Sequence, residues 1–181
     1  MIIARQKKQE NIAEYLLYMW QIEDIIRAFH GDIDTIQKQI IDGYRDQSPE
    51  TLKEIREWYD NLCEMMRLEG VLEKGHLQIN KNVLIDLADL HQRLLKSTRE
   101  PFYGATFFKT LPYIVELRAR SGNTEAGELE TCFNALYGIL LLRLQKKEIS
   151  PETEKAVHQI SHFLALLSEK YKQEKAGELE L

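Results

Sequence analysis

NIAEYLLYMWQIEDIIRAF, residues 11–29, is the stretch that decides the fold class. At about 100° per residue, Ile12, Tyr15, Tyr18, Met19, Ile22, Ile25, Ile26 and Phe29 share one broad face, as a core-facing helix requires. Leu16, Leu17 and Trp20 lie on the other side, so the first half is apolar nearly all round. Such a helix is covered on more than one side. In the second half, Glu23 and Arg27 stand four apart and pair on the wetter face. Asn11 projects toward the core face, one turn below Tyr15, and the phenols are its nearest hydrogen-bond partners.

Working outward, the first helix is expected from about Ala4 to Phe29, stopped by His30-Gly31. A shorter helix follows from Asp34, with Gln37 as its capping companion, and ends near Tyr44. Ser48-Pro49-Glu50-Thr51 opens a third: Ser48 caps, Pro49 takes the first helical position and Glu50 suits the positive end. Leu52, Ile55, Tyr59, Leu62 and Met66 then mark a stripe that runs to Gly70. Gly70–Ile79 reads as a tiny hairpin or an irregular apolar loop. A fourth helix runs from about Asn80 to Ser97. A fifth runs from Glu100-Pro101 to about Arg120, before Ser121-Gly122, with a kink or break expected before Pro112. In it Phe102, Tyr103, Phe107, Phe108 and Tyr113 read as core filling. A sixth spans about Thr124 to Lys147. A seventh opens on a second Ser-Pro-Glu-Thr at Ser150 and runs to about Lys172, ahead of a frayed tail over about 174–181. The repeated tetrapeptide is a good helix-start signal in both places and does not require a duplication. The expectation is therefore all-α: one domain over residues 1–181, a bundle of six or seven helices.

In the sixth helix, Leu129, Phe133, Leu136, Leu140 and Leu144 make one face, and Thr131, Ala135, Gly138 and Leu142 lie opposite. No charge occurs from Phe133 to Leu142. That predicts burial on two sides, with Ala135 and Gly138 admitting another backbone.

The phrases MIIARQKKQENIAEYLLYMWQIEDIIRAF and GVLEKGHLQINKNVLIDLADLHQRLL resemble an uncharacterised bacterial family known only as a domain of unknown function. The resemblance implies an all-helical cytoplasmic protein with no assigned activity, and it brings no catalytic residue to this chain.

Composition limits the partners. Of 181 residues, 44% are hydrophobic and 29% charged, with a net charge of −5. An acidic whole argues against duplex nucleic acid and anionic membrane, which demand a basic footprint. Arg93, Lys96 and Arg99, and Arg143, Lys146 and Lys147, fall at helix ends, where cations suit the dipole. Cys63 and Cys132 sit in apolar phrases without a neighbouring Cys, as reduced packed thiols do. No apolar signal segment follows Met1-Ile2-Ile3, and the run Phe133–Leu144 is too short to cross a bilayer. The expected location is cytoplasmic.

For metal chemistry, Glu154, His158 and His162 repeat every four residues on one helical face, and His91 is the candidate fourth group. Val157, Ile160, Leu164 and Leu167 define the opposite, core-facing side, so the outward set cannot meet His91. The sole Glu-x-x-His, Glu73 to His76, lies in a glycine-containing loop, which removes a di-iron carboxylate reading. No phosphate-cradling glycine motif or nucleophile elbow is present. For ligand binding, the polar set Asn11, Glu14, Tyr18 and Gln21 on the first helix and His91 on the fourth are the candidates, lining a pocket between the first, fourth and fifth helices; the favoured reading of the set is a satisfied network that fixes packing register, and of His91 a hydrogen-bonded structural histidine. The expectation is a protein that binds or assembles without catalysis, needs no cofactor, and pairs with itself or another protein. The alternatives are a ligand-binding protein or enzyme built on that pocket, and, behind it, a histidine-based metal bundle.

Overall fold

A computed structural model describes residues 2–121 and 125–181. The described residues form eight α-helices: α1 (Ile2–Glu10), α2 (Ile12–Ala28), α3 (Ile33–Gln39), α4 (Pro49–Leu68), α5 (Gln78–Lys96), α6 (Pro101–Ser121), α7 (Glu128–Leu144) and α8 (Pro151–Lys175). A single 3-10 turn, Ile41–Gly43, follows α3. The fold is all-α, with slightly more helices than the periodicity predicts.

The extra helix comes from Asn11. The expected first helix is two, because the Asn11 side-chain oxygen accepts from the Ala13 N–H at 3.0 Å. That local bond replaces a helical one and starts α2 afresh. The cap of α3 is also two residues earlier than expected: Asp32, not Asp34, accepts from the N–H groups of Asp34 and Thr35. Ser48 and Ser150 do cap α4 and α8, accepting from Thr51 N–H at 3.2 Å and Thr153 N–H at 3.3 Å. Residues 70–77 contain no strand, so the apolar loop, not the hairpin, is correct. The start expected near Thr124 lies outside the described residues, and α7 begins at Glu128. α8 continues to Lys175, past the expected Lys172, and ends on Gly177 at φ 73°.

The chain divides into two compact units, Met1–Lys8 with Glu14–Asn82, and Gln9–Ala13 with Val83–Leu181. In the first, α3 packs on α4 and the 3-10 turn touches both. Its core contains Leu16, Met19, Ile26, Ile36, Ile41, Tyr59, Cys63 and Met66. In the second, α6, α7 and α8 pack on one another. Its core contains Leu90, Leu94, Tyr103, Ile114, Phe133, Ile160 and Phe163.

Three expectations about helix faces change. α6 runs unbroken across Pro112. Pro112 and Phe108 are both exposed, so the Phe108 carbonyl that loses its donor lies on the solvent-facing side of the helix. In α7, Leu136, Gly138, Leu140 and Leu142 are half-buried and Leu144 is 68% exposed, so two-sided burial is not found. A Cβ built on Gly138 meets no atom within 4 Å, so no backbone of the same chain approaches there. In α6, Tyr103 and Phe107 fill the core as expected, but Phe102 and Phe108 face solvent.

Candidate functional site

The first unit is organised on a buried carboxylate. Glu23 is fully buried, contrary to the wetter-face expectation. One of its oxygens accepts from Leu77 N–H at 2.9 Å and from the Asn80 amide at 2.7 Å. The other lies 2.5 Å from His76 Nδ1. His76 stacks on Trp20, with centroids 4.3 Å apart. Arg27, one turn on, pairs with Asp24 at 2.8 Å and donates to the carbonyls of Val71 and Gly75. Glu69 accepts from Gln78 N–H at 2.7 Å. Two carboxylates therefore satisfy the first N–H groups of α5, where negative charge also suits the helix dipole. The arrangement fastens the 70–77 loop and starts α5.

The predicted ligand residues fall in both units: Glu14, Tyr18 and Gln21 in the first, Asn11 and His91 in the second. Glu14 is exposed and bonds Lys7 at 2.8 Å. Tyr18 is half-buried, and burial, with Tyr44 second, pushes its phenol up to about 12. Gln21 is half-buried, and Asn11 is used as a cap. None of the four lines a described cavity. His91 does. It is 2% exposed and lies on a cavity of about 210 Å³ in the second unit, together with Leu84, Ile85, Ala88 and the first turn of α7. Its Nδ1 is 2.7 Å from the Tyr103 hydroxyl, and Phe107 and Phe163 meet its ring edge-on. Nε2 has no hydrogen-bond partner. Burial holds the imidazole below its ordinary value, with Glu128 opposing weakly.

Glu154, His158 and His162 are all exposed on α8, and Glu154 pairs with Arg143 at 3.2 Å. Val157, Ile160, Leu164 and Leu167 are buried on the opposite side, as the wheel requires. Among the described residues, no three His, Cys, Asp or Glu side chains are grouped to hold a metal ion, and no helix is long and apolar enough to cross a membrane.

α6 exposes three large apolar side chains. Phe102, Phe108 and Val115 are 65%, 66% and 56% exposed. Ala105, Phe108, Pro112, Val115 and Ala119 are all exposed and step by three, four, three and four residues. That is a helix-pairing seam turned outward, opposite the core face of Tyr103, Phe107, Thr110 and Ile114. Lys109 and Glu116 flank it on one edge.

A family model spans residues 1–178 of this all-helical chain. The chain belongs to the DUF4924 family, a domain of unknown function. No curated protein and no solved structure matches it. The match brings no functional residue to this DUF4924 chain, so its sites rest on geometry. Sequence reasoning missed two features. Glu23 falls on the wheel between Met19, Trp20 and Ile26, inside the buried arc, and that position was the available signal. The α6 seam was visible as a 3-4-3-4 repeat, but apolar residues around most of the helix hid which face was outside.

Proposed function

We propose that this is a cytoplasmic bacterial protein that acts by assembly rather than catalysis, and that two copies pair through the exposed seam of α6. The observation that carries the reading is the seam itself, five exposed apolar positions from Ala105 to Ala119 at coiled-coil spacing. Charge favours a second copy over another partner. Lys109 and Glu116 lie equally far from the midpoint between Pro112 and Tyr113. An antiparallel twofold pairing about that point sets Lys109 of one protomer against Glu116 of its partner, twice. Closed twofold contacts of this kind are self-complementary by construction. The buried free thiols of Cys63 and Cys132, pushed up by burial to about 11 and about 12, suit a reducing compartment.

Light scattering coupled to size exclusion tests this. The parent chain runs as a dimer. Phe108→Glu strands a charge in the seam of both copies. At about 2 kcal/mol per copy, that weakens pairing roughly a thousandfold. Lys109→Glu and Glu116→Lys each weaken it several-fold, because exposed ion pairs contribute only about 0.2–1 kcal/mol each. The double charge swap restores it. A parent that runs as a monomer, or a Phe108→Glu variant that stays dimeric, refutes the reading.

A further inference from the structure

The cavity at His91 carries more than a packing defect. The Tyr103 hydroxyl is fully buried, and its one hydrogen-bond partner is His91 Nδ1. A buried hydroxyl proton needs an acceptor, so Tyr103 donates to Nδ1. The pattern assigns His91 the tautomer that holds its proton on Nε2. That N–H is the group without a partner, in a side chain that lines the cavity. Leaving such a donor buried and unmet is unfavourable.

A second set of donors borders the same space. The residue before α7 is Gly127, which has no side chain to take the N–H groups of Glu128, Leu129 and Glu130. These groups and the helix dipole favour an acceptor group of negative charge. The side chains of Glu128 and Glu130 line the cavity too, and they oppose a ligand of net negative charge. The remaining wall is apolar, from Leu84, Ile85 and Ala88. The volume is smaller than the roughly 300–1,000 Å³ of a drug-sized pocket.

We infer that this cavity binds a small zwitterion, an α-amino acid with a short aliphatic side chain. Its carboxylate accepts from His91 Nε2–H and the first N–H groups of α7. Its ammonium lies against Glu128 and Glu130, and its side chain against Leu84, Ile85 and Ala88. The site is independent of the α6 seam.

The test uses the full chain labelled with ¹⁵N-histidine and follows the long-range ¹H–¹⁵N signals of His91 during titration with L-valine. Acetate and inorganic phosphate serve as comparators. The expected result is an Nε2-protonated ring whose signals shift saturably with L-valine, at least tenfold more tightly than with acetate or phosphate. Ala88 is exposed, so Ala88→Trp fills the cavity without touching the core, and it abolishes the shift. His91→Asn keeps an acceptor for Tyr103 but cannot reach the cavity. Read by thermal shift, it loses the stabilisation by L-valine while still melting cooperatively. A flat L-valine titration, meaning water is the only occupant, overturns the inference. So does equal binding of phosphate, or binding that survives Ala88→Trp.

Discussion

Replacing Glu23 by alanine removes the acceptor for two donors that have nowhere else to go. Leu77 is fully buried and Asn80 is 1% exposed, and both donate to the same Glu23 oxygen. Each stranded donor costs about 1–3 kcal/mol, so the variant loses about 2–6 kcal/mol. The His76 side chain is 34% exposed and turns to water, adding little. Against a typical stability of about 5–15 kcal/mol, this loss is large. Glu23→Gln is the control, because its carbonyl oxygen still serves both donors. Its loss is expected below about 1.5 kcal/mol, the contribution of one ordinary hydrogen bond. Urea unfolding of the three proteins gives the differences, and amide exchange at Leu77 reports the local bond. Equal midpoints for Glu23→Ala and the parent, with the Leu77 amide still protected, would refute the reasoning.

Other outcomes follow from the same coordinates. Ser150→Ala removes the cap of α8 and is expected to cost about 1 kcal/mol, measurable by thermal melting. Gly138→Ala is expected to stabilise by about 0.5–1 kcal/mol, since the new methyl group meets open space on a helix; a loss of stability would mean that a neighbour sits there. His91 has a folded value below its ordinary 6.5, so the unfolded chain binds the proton first. Its contribution is therefore fully present above pH 6.5 and is lost as the pH falls below that value toward the folded one. His91→Asn should flatten that part of the stability profile, and an unchanged slope between the two proteins counts against a neutral buried imidazole.

Much of the fold was legible because helix starts are local chemistry. The two Ser-Pro-Glu-Thr phrases placed α4 and α8 to the residue, since a serine oxygen needs only its own third neighbour. The break at Asn11 was harder, because an asparagine on an apolar face reads equally as a buried amide and as a cap. What decided it was the Ala13 N–H, which Ser168 also approaches at 3.3 Å from far along the chain. For Glu23, charge points to a wet face and position to the core, since Met19, Trp20 and Ile26 around it are buried. In α7 the absence of charge suggested full coverage, but half-exposed leucines are ordinary on a folded surface. Of the site candidates, His91 lines a described cavity. The lining that makes the cavity interpretable, the uncapped start of α7, comes from residues more than thirty positions away.

The cap that Glu23 supplies to α5 also dictates where this chain can be cut. Its partners lie 53 to 57 residues downstream. Any fragment that ends before His76 leaves the buried Glu23 carboxylate without these three partners. Closing so long a span costs entropy that no neighbouring bond defrays. An expression boundary drawn at residue 70 or 75 therefore removes all three partners and is expected to destabilise the first unit.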